Sequence, residues 1–244
     1  DDIADQDGHL DIKINKFLEF KSEFKNKNIS NNIIKNVHIL LEEEGISHKI
    51  VNDLLDGVES DLKSEVNLNN KKNLLIYSYQ VAGTVGLMMA KILKVKNQQS
   101  LRCAVDLGVA MQLTNIARDV VEDKKRNRTY IEGDFNSISE TIFLANIFYR
   151  SSFPAIKNIP IFSRFAILVA RRIYKRIGYE ILSQKNLENY KKAGKIYVSV
   201  LFKVVETTLS IFDFIKLFFI NSNEQEEQNE HIMLHEEINL DERI

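Results

Sequence analysis

Apolar residues recur three and four positions apart along nearly the whole chain, a spacing that commits it to helices. Ile33, Ile34, Val37, Leu40 and Leu41 make one such face, for which Ser30 reads as the N-cap. Gly45 reads as a stop and Ser47 as a restart, ahead of a second face of Ile50, Val51, Leu54, Leu55 and Val58. The same spacing predicts long helices over 71–95 and 98–126, a loop over 127–136 around Gly133, and helices over 137–152, 161–184 and 192–220. No alternating strand pattern of useful length, internal repeat or linker interrupts this order. Nine glycines and two prolines in 244 residues are too few turn formers for a chain of many short strands. The expectation is an all-α protein with one domain over 1–220, followed by a polar, acidic tail over 221–244.

Charge narrows the partners. The formal net charge is −1 and the basic residues are scattered, so no nucleic-acid partner is expected. The single cysteine, Cys103, cannot close an internal disulfide, which fits a reducing, cytoplasmic setting. The segment 197–220 is strongly apolar, but Lys203, Glu206, Asp213 and Lys216 interrupt it on one side of a helix. It therefore reads as an amphipathic packing helix and not as a membrane span. The chain opens on Asp1-Asp2-Ile3-Ala4-Asp5, which reads as the start of a fragment.

Three constellations carry chemistry. Asn115, Asp119 and Asp123 are spaced i, i+4, i+8 and share one helix stripe, with Gln112 a turn earlier. Like charges at i, i+4 cost a helix roughly 0.2–0.5 kcal/mol per pair, a cost that a hard cation converts into binding. Mg²⁺, with Mn²⁺ as its substitute, prefers such oxygen ligands and is shared with substrate phosphates. Lys124, Lys125 and Arg126 follow at once, so a solvated, self-neutralised face is the competing reading. Asp1 and Asp5 form a second i, i+4 acidic pair, and two such faces across a cavity could hold several cations around a diphosphate. The third constellation is Tyr77 to Ala90, where Gly83 and Gly86 interrupt an apolar helix. Glycine there costs about 1 kcal/mol relative to alanine, so either close helix packing or room for a ligand must offset it.

Taken in order, these segments resemble the squalene/phytoene synthase family. Asp1-Asp2-Ile-Ala-Asp5 resembles its first aspartate-rich motif, and Gln112 to Tyr130 its second. Leu55-Asp56-Gly57-Val-Glu-Ser-Asp61-Leu62, Tyr77 to Met88 and Ala170 to Gly178 are similar to three further family segments. The resemblance implies an isoprenoid-synthase-type helical bundle around a central cavity, here lacking its first helices. It implies that Asp1, Asp2 and Asp5, with Asn115, Asp119 and Asp123, place Mg²⁺ and the diphosphates, and that Asp1, Asp5, Asp119, Asp123 and Tyr77 are catalytic. Gln112, Arg118, Arg128 and Tyr130 would serve the diphosphate end, and Val81, Ala82 and Gly83 the prenyl pocket. The implied reaction is head-to-head condensation of two allylic prenyl diphosphates through a cyclopropyl diphosphate. The "VAGTVGLM" and "ARDVVED" forms look most like bacterial phytoene synthases, which points to two geranylgeranyl diphosphates. A squalene or dehydrosqualene synthase acting on farnesyl diphosphate is the alternative, and a peripheral membrane contact for product release is implied. The chain has no dinucleotide fingerprint, so NADPH is not expected. Non-catalytic assembly factors share the resemblance but lack intact acidic motifs, whereas both motifs are intact here. Ser78 stands where the family has cysteine, and Ile131-Glu132 where it has Leu-Pro.

Overall fold

A computed structural model describes residues 9–68, 70–221 and 228–244. Its helices are α1 (Leu10–Lys25), α2 (Asn32–Glu43), α3 (His48–Ser60), α4 (Lys71–Ser78), α5 (Thr84–Ile92), α6 (Gln98–Lys125), α7 (Phe135–Ser152), α8 (Ile161–Leu182), α9 (Leu187–Ala193), α10 (Val200–Lys216) and α11 (Asn229–Glu237). A π-helical turn, Tyr79–Gly83, joins α4 to α5 without breaking the rod. The only extended pairing among the described residues is parallel, between β1 (Val66–Asn67) and β2 (Arg128–Thr129).

Local chemistry explains most boundaries. Ser47 caps α3 by accepting from the Lys49 amide, and Gly45 turns the chain at φ +60°. At α2 the cap is Asn31, not Ser30. The Asn31 carbonyl reaches the amides of Ile33 and Ile34 at 3.1 and 3.4 Å, whereas the Ser30 amide is spent on Asn28. The stretch expected as one helix over 192–220 is two. Gly194, at φ +65°, ends α9, and the Ser199 hydroxyl starts α10 on the Phe202 amide. Helix α1, which buries only Phe17 and Phe24, has too thin an apolar stripe to be read from spacing.

The core is organised by α6, which runs between α7, α8 and the α4–π–α5 rod. Gly86 and Gly108 bring the rod and α6 into backbone contact. A Cβ on Gly86 would lie 2.2 Å from the Ala104 carbonyl oxygen, and one on Gly108 would lie 2.3 Å from that of Ala82. Close packing thus offsets the helical cost of these glycines.

Two expectations about the last third are corrected. Residues 228–244 are not a tail, because Leu234, Ile238 and Leu240 join the main core. Polar groups complete the anchor. His235 Nε2 lies 3.0 Å from Asp106 Oδ1, Ser151 Oγ donates to Asp106 Oδ2 at 3.1 Å, and His231 Nε2 lies 2.9 Å from Ser151 Oγ. A carboxylate buried this fully requires such partners. We expect Asp106→Asn to cost about 1–3 kcal/mol and to raise hydrogen exchange first in 228–244. An unchanged melting temperature and exchange pattern would refute that anchoring role. Helix α10 is amphipathic as expected but packs the other way round. Its acidic Glu206 and Asp213 turn inward onto Arg172, and its apolar side faces out. Among the described residues no helix is long and apolar enough to cross a membrane.

Candidate active site

The site is built where the π turn passes α3 and α6. A π turn inserts a residue into the helical repeat, and such turns gather at functional positions. Here it is clamped by glycine, since a Cβ on Gly57 of α3 would lie 2.8 Å from both Gln80 and Val81 side chains. The clamp holds Val81 on a cavity of about 710 Å³.

One end of that cavity is a knot of two tyrosines on one carboxylate. Tyr77 donates to Asp61 Oδ2 at 2.8 Å, and Tyr130 donates to Asp61 Oδ1 at 2.7 Å. The two hydroxyls are 3.0 Å apart and their rings stack at 4.7 Å. Arg128 Nη2 donates to the Asp61 carbonyl at 3.0 Å. The β1–β2 pairing sets this up, because it carries Arg128 and Tyr130 back beside the end of α3. Burial first, and then the Asp61 charge, raise both phenols above their ordinary range, so both stay neutral donors.

The opposite wall is α6. Gln112, Asn115, Asp119 and Asp123 line the cavity in one stripe, with Arg126 and Arg128 at its end. Asp123 is pushed up to about 6, chiefly by burial and then by the neighbouring Asp119 charge. Asp119 is already answered. Arg118 grips it through Nε and Nη2 at 2.8 and 2.6 Å, and Lys195 lies at 3.5 Å. Asn115 Oδ1 is buried with no hydrogen-bond donor among the described residues. Asn115 and Gln112 also line a second, apolar cavity of about 370 Å³, together with Val81, Ala82, Gly86, Met111 and Tyr174. A charged mouth and a greasy recess therefore share a wall.

The expected residues distribute as follows. Tyr77, Val81, Gln112, Asn115, Asp119, Asp123, Arg128 and Tyr130 meet at the first cavity, and Ala82 lines the second. Gly83 lines neither, because it packs against Val105 and Val109. Arg118 stands behind the wall and holds Asp119. Asp1, Asp2 and Asp5 lie outside the described residues. Three participants carried no such role in the sequence reading: Asp61, although its segment is quoted above, Lys195, and Arg126, which was read only as neutralising the stripe. Among the described residues no three acidic, histidine or cysteine side chains gather closely enough to hold a metal ion. The orphaned Asn115 oxygen beside Asp119 and Asp123 is nonetheless what a hard cation takes as ligands, so this half of a Mg²⁺ site fits.

Comparison with known proteins identifies relatives of the chain. The family model described as squalene/phytoene synthase matches residues 1–136. A 15-cis-phytoene synthase from Paracoccus sp. (strain N81106 / MBIC 01143) is 34% identical over 147 residues, 53% of this chain and 48% of that protein. Another, from Enterobacter agglomerans, is 32% identical over 166 residues, 58% and 56% of the two chains. The chain thus spans about half the length of the curated relatives it matches. Among solved structures, a dehydrosqualene synthase in complex with ligand superposes with a TM-score of 0.64, at 23% identity, over 88% of this chain and 82% of that one. At that identity the likeness shows a shared fold.

Proposed function

Since the chain belongs to the squalene/phytoene synthase family, we propose that the whole protein is a prenyltransferase that condenses two allylic prenyl diphosphates head-to-head, taking two geranylgeranyl diphosphates to phytoene. The observation that carries this reading is the shared wall, where Gln112 and Asn115 border both the acidic, arginine-flanked cavity and the apolar one. A prenyl diphosphate has the same two-part character. The names of the similar proteins, 15-cis-phytoene synthases, favour the longer substrate.

In this reading Asn115, Asp119 and Asp123, together with Asp1, Asp2 and Asp5, hold Mg²⁺. When bound, the metal supplies Lewis-acid stabilisation of charge on the departing diphosphate. Arg126 and Arg128 at the end of the α6 stripe offset the remaining phosphate charge. Arg118 fixes the Asp119 carboxylate in one orientation. Loss of diphosphate leaves an allylic cation; the double bond of the second substrate attacks it to give a tertiary cation, which loses a proton from C1 of the first substrate as the cyclopropane of the cyclopropyl diphosphate closes. Departure of the second diphosphate, rearrangement and loss of a second proton give phytoene, and the released diphosphate takes up the protons. The apolar recess excludes water that would quench the cations. Tyr77, kept neutral and oriented by Asp61, presents a fixed hydroxyl dipole to the reacting carbons.

Incubating the full-length protein with Mg²⁺ and either geranylgeranyl or farnesyl diphosphate, then identifying the hydrocarbon, tests the proposal. Phytoene is the expected product; turnover of farnesyl diphosphate alone would move the assignment to squalene or dehydrosqualene formation. Tyr77→Phe should lower kcat about 10-fold, the equivalent of one oriented hydrogen bond of about 1.4 kcal/mol, with KM little changed. An unaltered kcat would remove Tyr77 from the chemistry.

A further inference from the structure

The π turn is held from outside, and one of its holders comes from the segment after α11. Helix α3 carries Asp53 and Gly57 one turn apart, and both meet the turn. Gly57 packs on Gln80 and Val81. Asp53 takes the residue before them: Tyr79, 1% exposed, donates its hydroxyl to Asp53 Oδ2 at 2.6 Å. Burial, and then the bond to Asp53, raise the Tyr79 phenol above its ordinary range, so it stays a donor. The Tyr79 ring in turn sits on Gly83, where a Cβ would lie 2.9 Å from its Cδ2. Within the rod, Thr84 Oγ1 donates to the Gln80 carbonyl at 2.7 Å.

Asp53 is itself gripped. Arg243 donates through Nε to the same Oδ2, and through Nη2 to Oδ1 at 3.0 Å. The segment is shaped to deliver this side chain. Asn239, at φ +46°, turns the chain out of α11, buried Leu240 docks it, and Arg243 Nη1 donates back to the Asn239 carbonyl at 3.3 Å. The pairs Lys71–Glu230, Lys72–Glu237 and Lys49–Glu242 also tie this segment down, but they lie at the surface, where such pairs contribute little. Asp53 and Arg243 differ, because each side chain is only 15% exposed and the contact has two prongs, which fix direction as well as distance. The Tyr79 hydroxyl is therefore bound to a carboxylate that cannot rotate away.

What the turn carries is the seam of the site. Val81 within it and Val85 just after it line both the charged cavity and the apolar recess, and Ala82 lines the recess. The polar groups of the mouth stand elsewhere, on α6 and in the knot around Asp61. We propose that Arg243 and Asp53 are positioning residues: acting through Tyr79, they hold the π turn where Val81 and Val85 leave a prenyl chain its passage from the charged mouth into the recess. The ligand named here rests on the reaction proposed above, whereas the clamp does not. A shift of the turn weakens the hold on the chain and leaves the diphosphate end untouched.

The test uses the full-length protein with Mg²⁺ and two unreactive ligands, geranylgeranyl thiodiphosphate and inorganic diphosphate. Tyr79→Phe cuts the clamp from the turn but keeps the Asp53–Arg243 pair, and Arg243→Gln removes the pair. Each should weaken binding of the prenyl analogue about fivefold and leave that of inorganic diphosphate unchanged. The double variant should bind no more weakly than Tyr79→Phe alone, because the two changes share one path. Without ligand, both variants should raise amide hydrogen exchange over 79–83. Prenyl affinity unchanged by Tyr79→Phe would overturn the proposal and leave Arg243 an anchor of its own segment; this variant decides even where Arg243→Gln does not fold. An equal loss of affinity for both ligands would also overturn it, as general loosening. A parent protein that binds the prenyl analogue no more tightly than inorganic diphosphate would sink the prenyl reading of the site. Exchange over 79–83 then decides the clamp: raised exchange upholds it, and unchanged exchange overturns it.

Discussion

If the whole protein turns over prenyl diphosphates as proposed, Asp123→Asn is expected to lower that turnover by about 10²- to 10³-fold, the usual loss when one preorganised group is removed from developing charge. The fold should be as stable as before or more so. Asp123 is the strained member of the α6 stripe, pushed up to about 6 by burial and by Asp119. A carboxyl whose folded pKa lies above its unfolded value weakens the fold as pH rises from about 4 to about 6. In the presence of a chelator, the variant should therefore match or exceed the parent's melting temperature at pH 8, and the difference should shrink below pH 6. Parental turnover would contradict a metal-binding role, and a large drop in melting temperature would make Asp123 structural. Asp119 behaves differently. Crowding alone suggests that Asp119→Asn relieves repulsion, but Asp119 is the carboxylate that Arg118 and Lys195 already neutralise, so its removal strands Arg118.

The largest stability effect is expected from Gly108→Ala. In an ordinary helix this change gains about 1 kcal/mol. Here the new methyl would lie 2.3 Å from the Ala82 carbonyl oxygen and 2.9 Å from the Gly83 Cα, all of it backbone that cannot rotate away. We expect a loss of about 3 kcal/mol, which for a chain of this size lowers the melting temperature by roughly 10 °C. Gly133→Ala serves as the control, because the nearest atom to its Cβ, on Val120, is 3.9 Å away. A melting temperature for Gly108→Ala equal to that of the control would mean that the rod and α6 are not in backbone contact.

Helical geometry explains what the sequence made legible. Residues at i, i+4 and i+8 share a face wherever a helix forms, so the stripe of Asn115, Asp119 and Asp123 could be placed without knowing what it faces. Gly45 and Ser47 act on their immediate neighbours and were equally readable. What escaped depends on distant partners. Asp61 gains its role only because β1 and β2 bring Tyr130 back from 69 residues away. Residues 228–244 look polar, yet His235 meets a buried carboxylate 129 residues distant. The α9–α10 break was hidden because Tyr190, Ile196 and Val198 keep an apolar spacing across Gly194 and pack together. In α10 the two faces were evident, but Arg172, on another helix, decides which turns inward.

The π turn at Tyr79–Gly83 has a consequence for insertions and deletions. The turn takes up one residue more than a regular α-helix would over the same stretch. Because the bulge absorbs that residue locally, the helix on either side keeps its facing, with Gly86 against Ala104 and Val85 and Met89 on the cavity wall. Deleting one residue between Tyr79 and Gly83 would close the bulge into regular α-helix and leave that facing in place, whereas the same deletion within α5 would turn everything after it by about 100°. What the deletion removes is the local bulge that Gly57 clamps at Gln80 and Val81. Substitutions at Val81 or Ala82 therefore reshape the recess by side chain, whereas losing one of the five positions changes the backbone that carries Val81 to it.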